Sequence, residues 1–345
     1  MIKNLKANKT SYNKCDFAKT DCKIKSKNFL DKLIIVLILA VCLIFISNPS
    51  CYSSCCLNAI SVWAFKVLPV LFPFFIFTKI IVALISPKQT KLDKLFSKIY
   101  HTPATSSTIY LLSVLSGYPM GAKLICSMYE RGIYSTDDAK QMMSFCSVSG
   151  PMFIVGTVGV AVFGSVRVGY VILAANIIAS LLNGLIYRGK NREQTQIKLE
   201  ETAPSSSLLA DSVYDSLKSI LLVGAYMVLA FLMIDLMNNT HIFSLVTKLI
   251  CGIFSIKNCQ SVNAVLAGIF EITRGVIDIQ ASGCPLQISA VIASGLIGFG
   301  GISILLQSLT FLKTLKIKTS SIVLQKITQG MFACLVALPL SLLFL

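Results

Sequence analysis

Charged residues are scarce in this chain: they make up 13% of its 345 residues, whereas hydrophobic residues make up 55%. A soluble globular domain carries about a quarter charged residues, so this composition excludes a protein that folds in water alone. Apolar runs of about 17–25 residues recur along the chain, and a helix needs that length to cross hydrocarbon. Alternating segments of about ten residues, typical of a membrane β-barrel, are missing. We therefore predict an all-α polytopic membrane protein.

Histidine is nearly absent, since His101 and His241 are the only two. The 12 cysteines are scattered without a CxxC pair, which argues against a metal site. The signatures GxSxG, HExxH and the P-loop are also missing. We therefore expect no enzyme activity, no metal and no cofactor. Cys51, Cys55 and Cys56 share one short segment that we predict to be an outer loop, and a disulfide within it stays an open question.

Acidic residues are few: 15 Asp and Glu face 31 Lys and Arg, which gives a net charge of +16. The basic residues lie between the apolar runs and form no separate basic domain, and no nucleic-acid recognition module is readable. We therefore expect no nucleic-acid partner. Most basic residues fall in segments that we predict to be cytoplasmic, as the positive-inside rule requires: 1–28, 86–103, 129–141, 188–206 and 311–326. This asymmetry predicts about seven crossings with the N-terminus inside.

The apolar runs repeat one order twice, namely a span, a broken short hairpin, a glycine-interrupted span and a plain span. The predicted parts are a basic cytoplasmic tail at 1–28, an N-terminal membrane helix and outer loop at 29–57, a first repeat at 58–187, a cytoplasmic linker at 188–206 and a second repeat at 207–345. Each repeat crosses three times, and an odd number of crossings turns the second copy upside down. The predicted fold has two inverted repeats with re-entrant hairpins and discontinuous helices.

The first hairpin is predicted from the stretch SGYPMGAK, which holds Gly117, Tyr118, Pro119, Gly121 and Lys123. Irregular backbone at membrane depth is tolerated only where it is buried in protein or lines a cavity. Two glycines permit the backbone angles of a turn, and the proline fixes it. We expect a hairpin tip that enters from the cytoplasmic side. The alternative is a spanning helix with a proline kink.

The second hairpin is predicted from the stretch FEITRG, which holds Glu271, Thr273 and Arg274. A carboxylate within an apolar segment is expensive, and it marks a functional site by default. We expect Glu271 to bind substrate or a coupling proton, with Arg274 or Lys123 facing an anionic group. The alternative is a structural ion pair between Glu271 and Arg274, which lie three residues apart on one helical face.

Two further breaks, SVSGP and GFGG, predict the unwound centres of two discontinuous helices. The candidate residues are Ser147, Ser149, Gly150 and Pro151 in the first break, Gly298, Gly300 and Gly301 in the second, and Gln307 in the helix that follows. The free N–H groups and the dipole at a half-helix N-terminus favour an anion. The alternative is close helix packing by small residues, which is common in membranes.

Four stretches carry a resemblance to a known family: LSGYPMGAK, SFCSVSGPMFIVGTVG, FEITRG and GFGGISILLQ. They resemble the YlbJ-type sporulation integral membrane proteins, of the nucleoside-recognition or Gate domain family, and the resemblance covers residues 58–345. It implies paired re-entrant hairpins and broken helices around a site at the membrane midplane. It also implies transport of a small anion, dipicolinic acid, across the mother-cell membrane that surrounds the forespore.

Two other functions stay open beside this one: a nucleoside-type transporter, and a non-transporting assembly or signalling factor of the sporulation membrane. Membrane lipid is an expected partner, and a coupling ion and a homo-oligomer stay open.

Overall fold

The fold is built from helices alone in the residues that the computed structural model describes, which are 29–84, 90–103, 105–189, 207–315 and 317–345. The first half forms α1 (Phe29–Ser47), α2 (Pro49–Val62), α3 (Leu68–Leu84), α4 (Lys91–Tyr100), α5 (Ser106–Ser116), α6 (Met120–Glu130), α7 (Thr136–Cys146) and α8 (Val166–Ile186). The second half forms α9 (Leu208–Asn239), α10 (Ile242–Phe254), α11 (Cys259–Phe270), α12 (Ile272–Ala281), α13 (Leu286–Phe299), α14 (Gly301–Phe311) and α15 (Thr319–Phe344). Trp63–Val67 and Met152–Val162 are π-helical.

Five helical stretches are long and apolar enough to cross a membrane: Pro49–Ile81, Val166–Ile186, Leu208–Asn239, Leu286–Thr314 and Thr319–Phe344. The prediction of an all-α polytopic membrane protein is therefore confirmed. The seven crossings and the cytoplasmic N-terminus stay predictions, because length and composition define neither the depth of the shorter helices nor the side of the membrane. The predicted tail at 1–28 and residues 190–206 of the predicted linker lie outside the described residues.

The chain divides into two compact units, Met1–Cys51 and Tyr52–Leu345. The first unit contains α1, and the second contains all the predicted site residues. Helix α2 begins at Pro49, so the segment that holds Cys51, Cys55 and Cys56 is helical and the predicted outer loop is wrong there. Cys55 and Cys56 are free thiols.

The first predicted hairpin is present. Helices α5 and α6 have 11 residues each, which is about 16 Å at 1.5 Å per residue and about half of the hydrocarbon core. They fold back on each other, since a Cβ on Gly121 would lie 3.1 Å from Oγ of Ser113. Eight residues of one continuous helix would separate these positions by about 12 Å. The alternative of a kinked spanning helix is therefore wrong.

The second hairpin, α11–α12, turns at Glu271, whose backbone is extended between the two helices. Its arms pack closely, because a Cβ on Gly275 would lie only 2.2 Å from Cα of Gly268. Two glycines that face each other let the arms meet backbone to backbone.

Both predicted helix breaks are also present. Residues 147–150 are non-helical between α7 and the π-helical segment that begins at Met152. The second break is a single residue, Gly300, with φ of +93° between α13 and α14. Gly298 lies before this break and packs on α15, because a Cβ there would be 2.9 Å from Cβ of Ala333. The small-residue alternative is thus the correct interpretation for Gly298.

The N-terminus of α7, which leads into the first break, is fixed by a capping box. The Ser135 hydroxyl accepts a hydrogen bond from the Asp138 backbone N–H at 3.2 Å, and the Asp138 carboxylate accepts from the Ser135 backbone N–H at 2.9 Å. These bonds satisfy two of the N–H groups that a helix end leaves free.

We expect Ser135→Ala to lower the free energy of unfolding by about 0.5–2 kcal/mol, the usual cost of a lost helix cap. The measurement is SDS-induced unfolding of the purified protein. Thr136→Ala is the control, because Thr136 follows the cap position and does not cap the helix. Equal stability of Ser135→Ala and the wild type would contradict the role of the cap.

Candidate functional site

The two hairpins and the first break meet at one cleft. Its cavity volume is about 40 Å³, which is room for a few water molecules and is below the range of about 300–1,000 Å³ for small-molecule sites. Its polar lining comes from Tyr118 in the first tip, Ser149 in the first break, Glu271 and Thr273 in the second tip, and Gln307 in α14. The other lining residues are Val67, Leu71, Gly150, Phe153, Val223, Met227, Ile272 and Ile304. Residues predicted from separate motifs thus share one site.

Glu271 is the charged residue of the cleft lining, and its side chain is buried, with 3% of the residue exposed. The carboxylate caps α12: it accepts from the Arg274 backbone N–H at 2.8 Å and from the Thr273 hydroxyl at 3.2 Å. A carboxylate is favoured at this end of a helix by the free N–H groups and the helix dipole. The α12 N-terminus is therefore already occupied by an anion of the chain itself.

Arg274 does not face the cleft. Its Nε donates to the Asp278 carboxylate at 3.0 and 3.1 Å, and its Nη1 lies 3.8 Å from Oδ1 of Asp235. The guanidinium also lies 5.7 Å from the ring centroid of Phe231. The predicted side-chain ion pair with Glu271 is therefore wrong, because two other carboxylates neutralise the guanidinium.

Lys123 also lies outside the cleft lining. Its Nζ donates to the Ser219 hydroxyl at 3.2 Å and lies 5.7 Å from the ring centroid of Phe311. It lines a second pocket, together with Lys79 and Arg131 among others. The hypothesis that Lys123 and Glu271 face one substrate is thus not supported by their positions, because α6 directs this side chain toward α9.

The remaining tip and break residues bring the elements into contact. Gly117 has a φ of +71°, and a Cβ on it would lie 2.4 Å from the backbone N of Gly150. A Cβ on Gly121 would lie 2.2 Å from the Cys146 carbonyl oxygen. The first tip is therefore seated directly on the first break, and only glycine fits at the contact points.

The second break is seated on the second hairpin in a similar way. A Cβ on Gly301, which has a φ of +69°, would lie 3.3–3.5 Å from the carbonyl oxygens of residues 268–270. Pro151 begins the half-helix after the first break, where its missing N–H is not needed. Gln307 donates to the Ser303 hydroxyl at 3.3 Å, one turn earlier in α14. Gly300 and Pro151 shape the backbone near the cleft but do not line it.

Lys326 is a buried lysine behind the cleft lining that the sequence analysis missed. Only 1% of the residue is exposed. Its ammonium donates to the Ser147 carbonyl at 2.8 Å, to Oε1 of Gln329 at 2.7 Å and to the Tyr118 hydroxyl. The predicted loop 311–326 is wrong at its end, because α15 begins at Thr319 and places Lys326 within the helix. A buried lysine within a helix of membrane-spanning length is, like Glu271, a candidate functional residue.

A sequence signal for Lys326 does exist. From Gln325 onward the buried residues of α15 follow the helical period and are small or polar: Gln325, Lys326, Gln329, Gly330, Ala333, Ala337 and Ser341. Such a stripe indicates a helix that packs closely against neighbours, and α15 packs along α13 and α8. The lysine belongs to this stripe and not to the basic loop before it.

A comparison with characterised proteins supports the resemblance. The chain is 25% identical over 315 residues to the sporulation integral membrane protein YlbJ of Bacillus subtilis (strain 168), and the match covers 84% of this chain and 77% of that protein. No protein-family model matches the chain, and no solved structure matches it. The Gate domain therefore stays a prediction. The chain is an integral membrane protein similar to the YlbJ type, as the four sequence stretches predict.

Proposed function

We propose that this chain is a membrane transporter that moves a small solute through the central cleft during spore formation. The observation that carries this proposal is the convergence of both hairpin tips and the first break on one cleft with a buried carboxylate. Broken helices and hairpins that meet at a central site are typical of secondary transporters. The role in spore formation is proposed from the description of the B. subtilis relative. Transport, and not catalysis, is proposed for the site.

The proposed substrate is a small anion, dipicolinic acid, moved across the mother-cell-derived membrane around the forespore. The cleft sets a condition on this substrate, because an ionised Glu271 repels a carboxylate strongly in a site that water does not screen. Glu271 therefore carries a proton when the anion is bound. Its carboxylic acid then donates a hydrogen bond, and Ser149 and Gln307 add a hydroxyl and an amide. The transport cycle in this proposal couples one proton to one anion.

Access to the cleft changes when a hairpin tip leaves its seat on a break. The first tip contacts the first break through Gly117 and Gly150, and the second hairpin contacts the second break through residues 268–270 and Gly301. Because these are contacts between packed backbones, each tip moves as a unit and not by small adjustments. Movement of one tip opens the cleft to one side while the other tip stays closed, which is the alternating-access scheme.

The test is flux into liposomes that contain the purified protein. We expect uptake of radiolabelled dipicolinate above that of protein-free liposomes, with faster uptake when protons also flow inward. Glu271→Gln keeps the shape of the side chain but cannot lose a proton, so it should remove the dependence on the proton gradient.

Glu130→Gln is the matched control, because Glu130 is an exposed glutamate outside the cleft lining. Uptake in Glu271→Gln that still depends on the proton gradient would contradict the proposed site. Competition by nucleosides in the same assay would favour a nucleoside-type transporter. An absence of dipicolinate flux together with a stable protein partner would favour an assembly or signalling factor.

A further inference from the structure

The ammonium group of Lys326 is held by neutral oxygens alone. Its three contacts are the Tyr118 hydroxyl, the Ser147 carbonyl and the amide oxygen of Gln329, and no ion pair of Lys326 is found among the described residues. An ammonium has three donors, so its hydrogen bonds are complete while its charge is not balanced. A purely structural lysine is expected to have a carboxylate partner, because burial of an unpaired charge is costly.

Lys326 cannot reach water along its own side chain in this state, because the residue is 1% exposed. Lysines near helix ends often extend their side chains to the membrane surface, but this one points into the protein, with its Nζ 4.7 Å from the ring centroid of Tyr118. The Lys326 ammonium therefore points toward the first hairpin tip and the first break. Lys326 is thus a costly buried cation at the point where the two helix breaks and the first hairpin tip meet.

Two of the three acceptors belong to the parts that the proposed cycle moves. Tyr118 is in the first hairpin tip, and Ser147 begins the first break. The second break lies beside them, since a Cβ on Gly300 would be 3.4 Å from Cε of Lys326 and 3.5 Å from the Tyr118 hydroxyl. Any movement of the tip away from the break changes the contacts of this ammonium.

Tyr118 is the side chain that the cleft and Lys326 have in common. It lines the cleft beside Glu271, and its hydroxyl accepts from Lys326. The Tyr118 phenol therefore lies between the cleft, which holds the Glu271 carboxylate, and the Lys326 ammonium, which has no carboxylate partner. Lys326, Ser147 and Gln329 do not line the cleft, so a solute there meets the Tyr118 side chain and not the ammonium.

We propose that Lys326 is the anion-binding residue of the cleft and that Tyr118 covers it in the empty state. A carboxylate of the solute replaces the Tyr118 hydroxyl on the ammonium, so binding of the anion and release of the first hairpin tip occur together. A neutral solute gains nothing from this exchange and leaves the tip in place. The inference rests on the proposed function for its place in transport, but the binding step is measured separately. It assigns the anion selectivity to Lys326, and not to Lys123 or Arg274.

The test is binding to the purified protein in detergent, measured by equilibrium dialysis. The two probes are pyridine-2,6-dicarboxylate and its neutral diamide, which has the same shape without the charges. We expect Lys326→Met to weaken dicarboxylate binding by at least about tenfold, since loss of one partner of a buried charge pair usually has an effect of that size. Diamide binding should change by less than about twofold. Lys326→Arg should retain most of the dicarboxylate binding, because it keeps the charge.

Tyr118→Phe provides a second test that does not require removal of the lysine. It removes the hydroxyl that competes for the ammonium, so we expect tighter binding of the dicarboxylate, by about twofold to tenfold, and no change for the diamide. Lys318→Met is the matched control, because Lys318 is exposed at the start of the same helix. Thermal unfolding of each variant shows whether it is folded.

The outcomes separate this inference from the proposed function. Dicarboxylate binding that depends on Lys326, without flux in liposomes, would uphold the inference and contradict the transporter. Flux that is equal in the wild type and Lys326→Met would uphold the transporter and contradict the inference. An equal loss of both probes in Lys326→Met, or a wild type that does not bind the dicarboxylate, would also overturn it.

Discussion

Gly117→Ala is expected to lower transport by at least about tenfold and to destabilise the protein by about 2–6 kcal/mol. Two costs add at this position. Gly117 has a φ of +71° and a ψ of −165°, a backbone conformation that is essentially restricted to glycine and costs another residue about 1–3 kcal/mol. The new Cβ would also lie 2.4 Å from the backbone N of Gly150, and such overpacking costs about 1–3 kcal/mol. Liposome flux and SDS-induced unfolding measure the two effects.

Gly132→Ala separates the cost of the backbone angle from the cost of the close contact. Gly132 has the same φ of +71°, but nothing lies within 4 Å of a Cβ built on it. This control should therefore show only the smaller cost of the backbone angle, with transport unchanged. If the two variants lose equal stability and neither loses flux, the contact between the first tip and the first break is not required for the site.

Arg274→Met is expected to cause the second large loss. It leaves the Asp235 and Asp278 carboxylates without their cation, and removal of one partner from a buried ion pair costs about 3–5 kcal/mol. The three side chains are 24–30% exposed, so solvent screening lowers the expected loss to about 1–3 kcal/mol. The measurement is SDS-induced unfolding of the purified variant. Transport should fall with stability, because Asp235 in α9 holds α12 and its hairpin through Arg274.

Neutralising Arg274, Asp235 and Asp278 together shows whether the charge of Arg274 or its packing stabilises the protein. Arg274→Met combined with Asp235→Asn and Asp278→Asn leaves no unpaired charge, so we expect it to recover much of the lost stability. Arg167→Met is the matched control, because Arg167 is exposed at the start of α8. A triple variant as unstable as the single one would show that the methylenes of Arg274, and their contact with the Phe231 ring, matter more than its charge.

The two hairpin tips are anchored by cations of different kinds, a partly buried Arg274 and a fully buried Lys326. Arg274 connects the second hairpin to α9 through carboxylates, whereas Lys326 connects the first tip to α15 through a phenol and a carbonyl. A contact between two opposite charges is stronger than one from a cation to a neutral oxygen, because the Coulomb attraction between unit charges adds to it. The first tip is therefore the one whose contacts a substrate anion can replace, as the exchange at Lys326 requires.

Several features of this protein could be predicted from the sequence because their causes are local. Apolar runs of membrane-spanning length define the class of protein. Gly117, Pro119, Gly150 and Gly300 define where helices stop, because the angles that these residues permit or forbid do not depend on distant neighbours. The position of Glu271 in an apolar segment identified it as a site residue for a similar reason, since an isolated carboxylate is costly in any apolar surrounding.

The direction of each long charged side chain was decided only by the tertiary structure. Lys123 and Arg274 lie near hairpin tips in the sequence, yet they turn to Ser219 and Asp235 in α9. Lys326 follows a basic loop in the sequence, yet it meets Tyr118 across 208 residues. A long side chain takes the direction in which its polar end finds hydrogen-bond partners, and helices that are distant in the sequence supply those partners. The sequence alone thus determined where the backbone breaks, and packing decided which charges face the cleft.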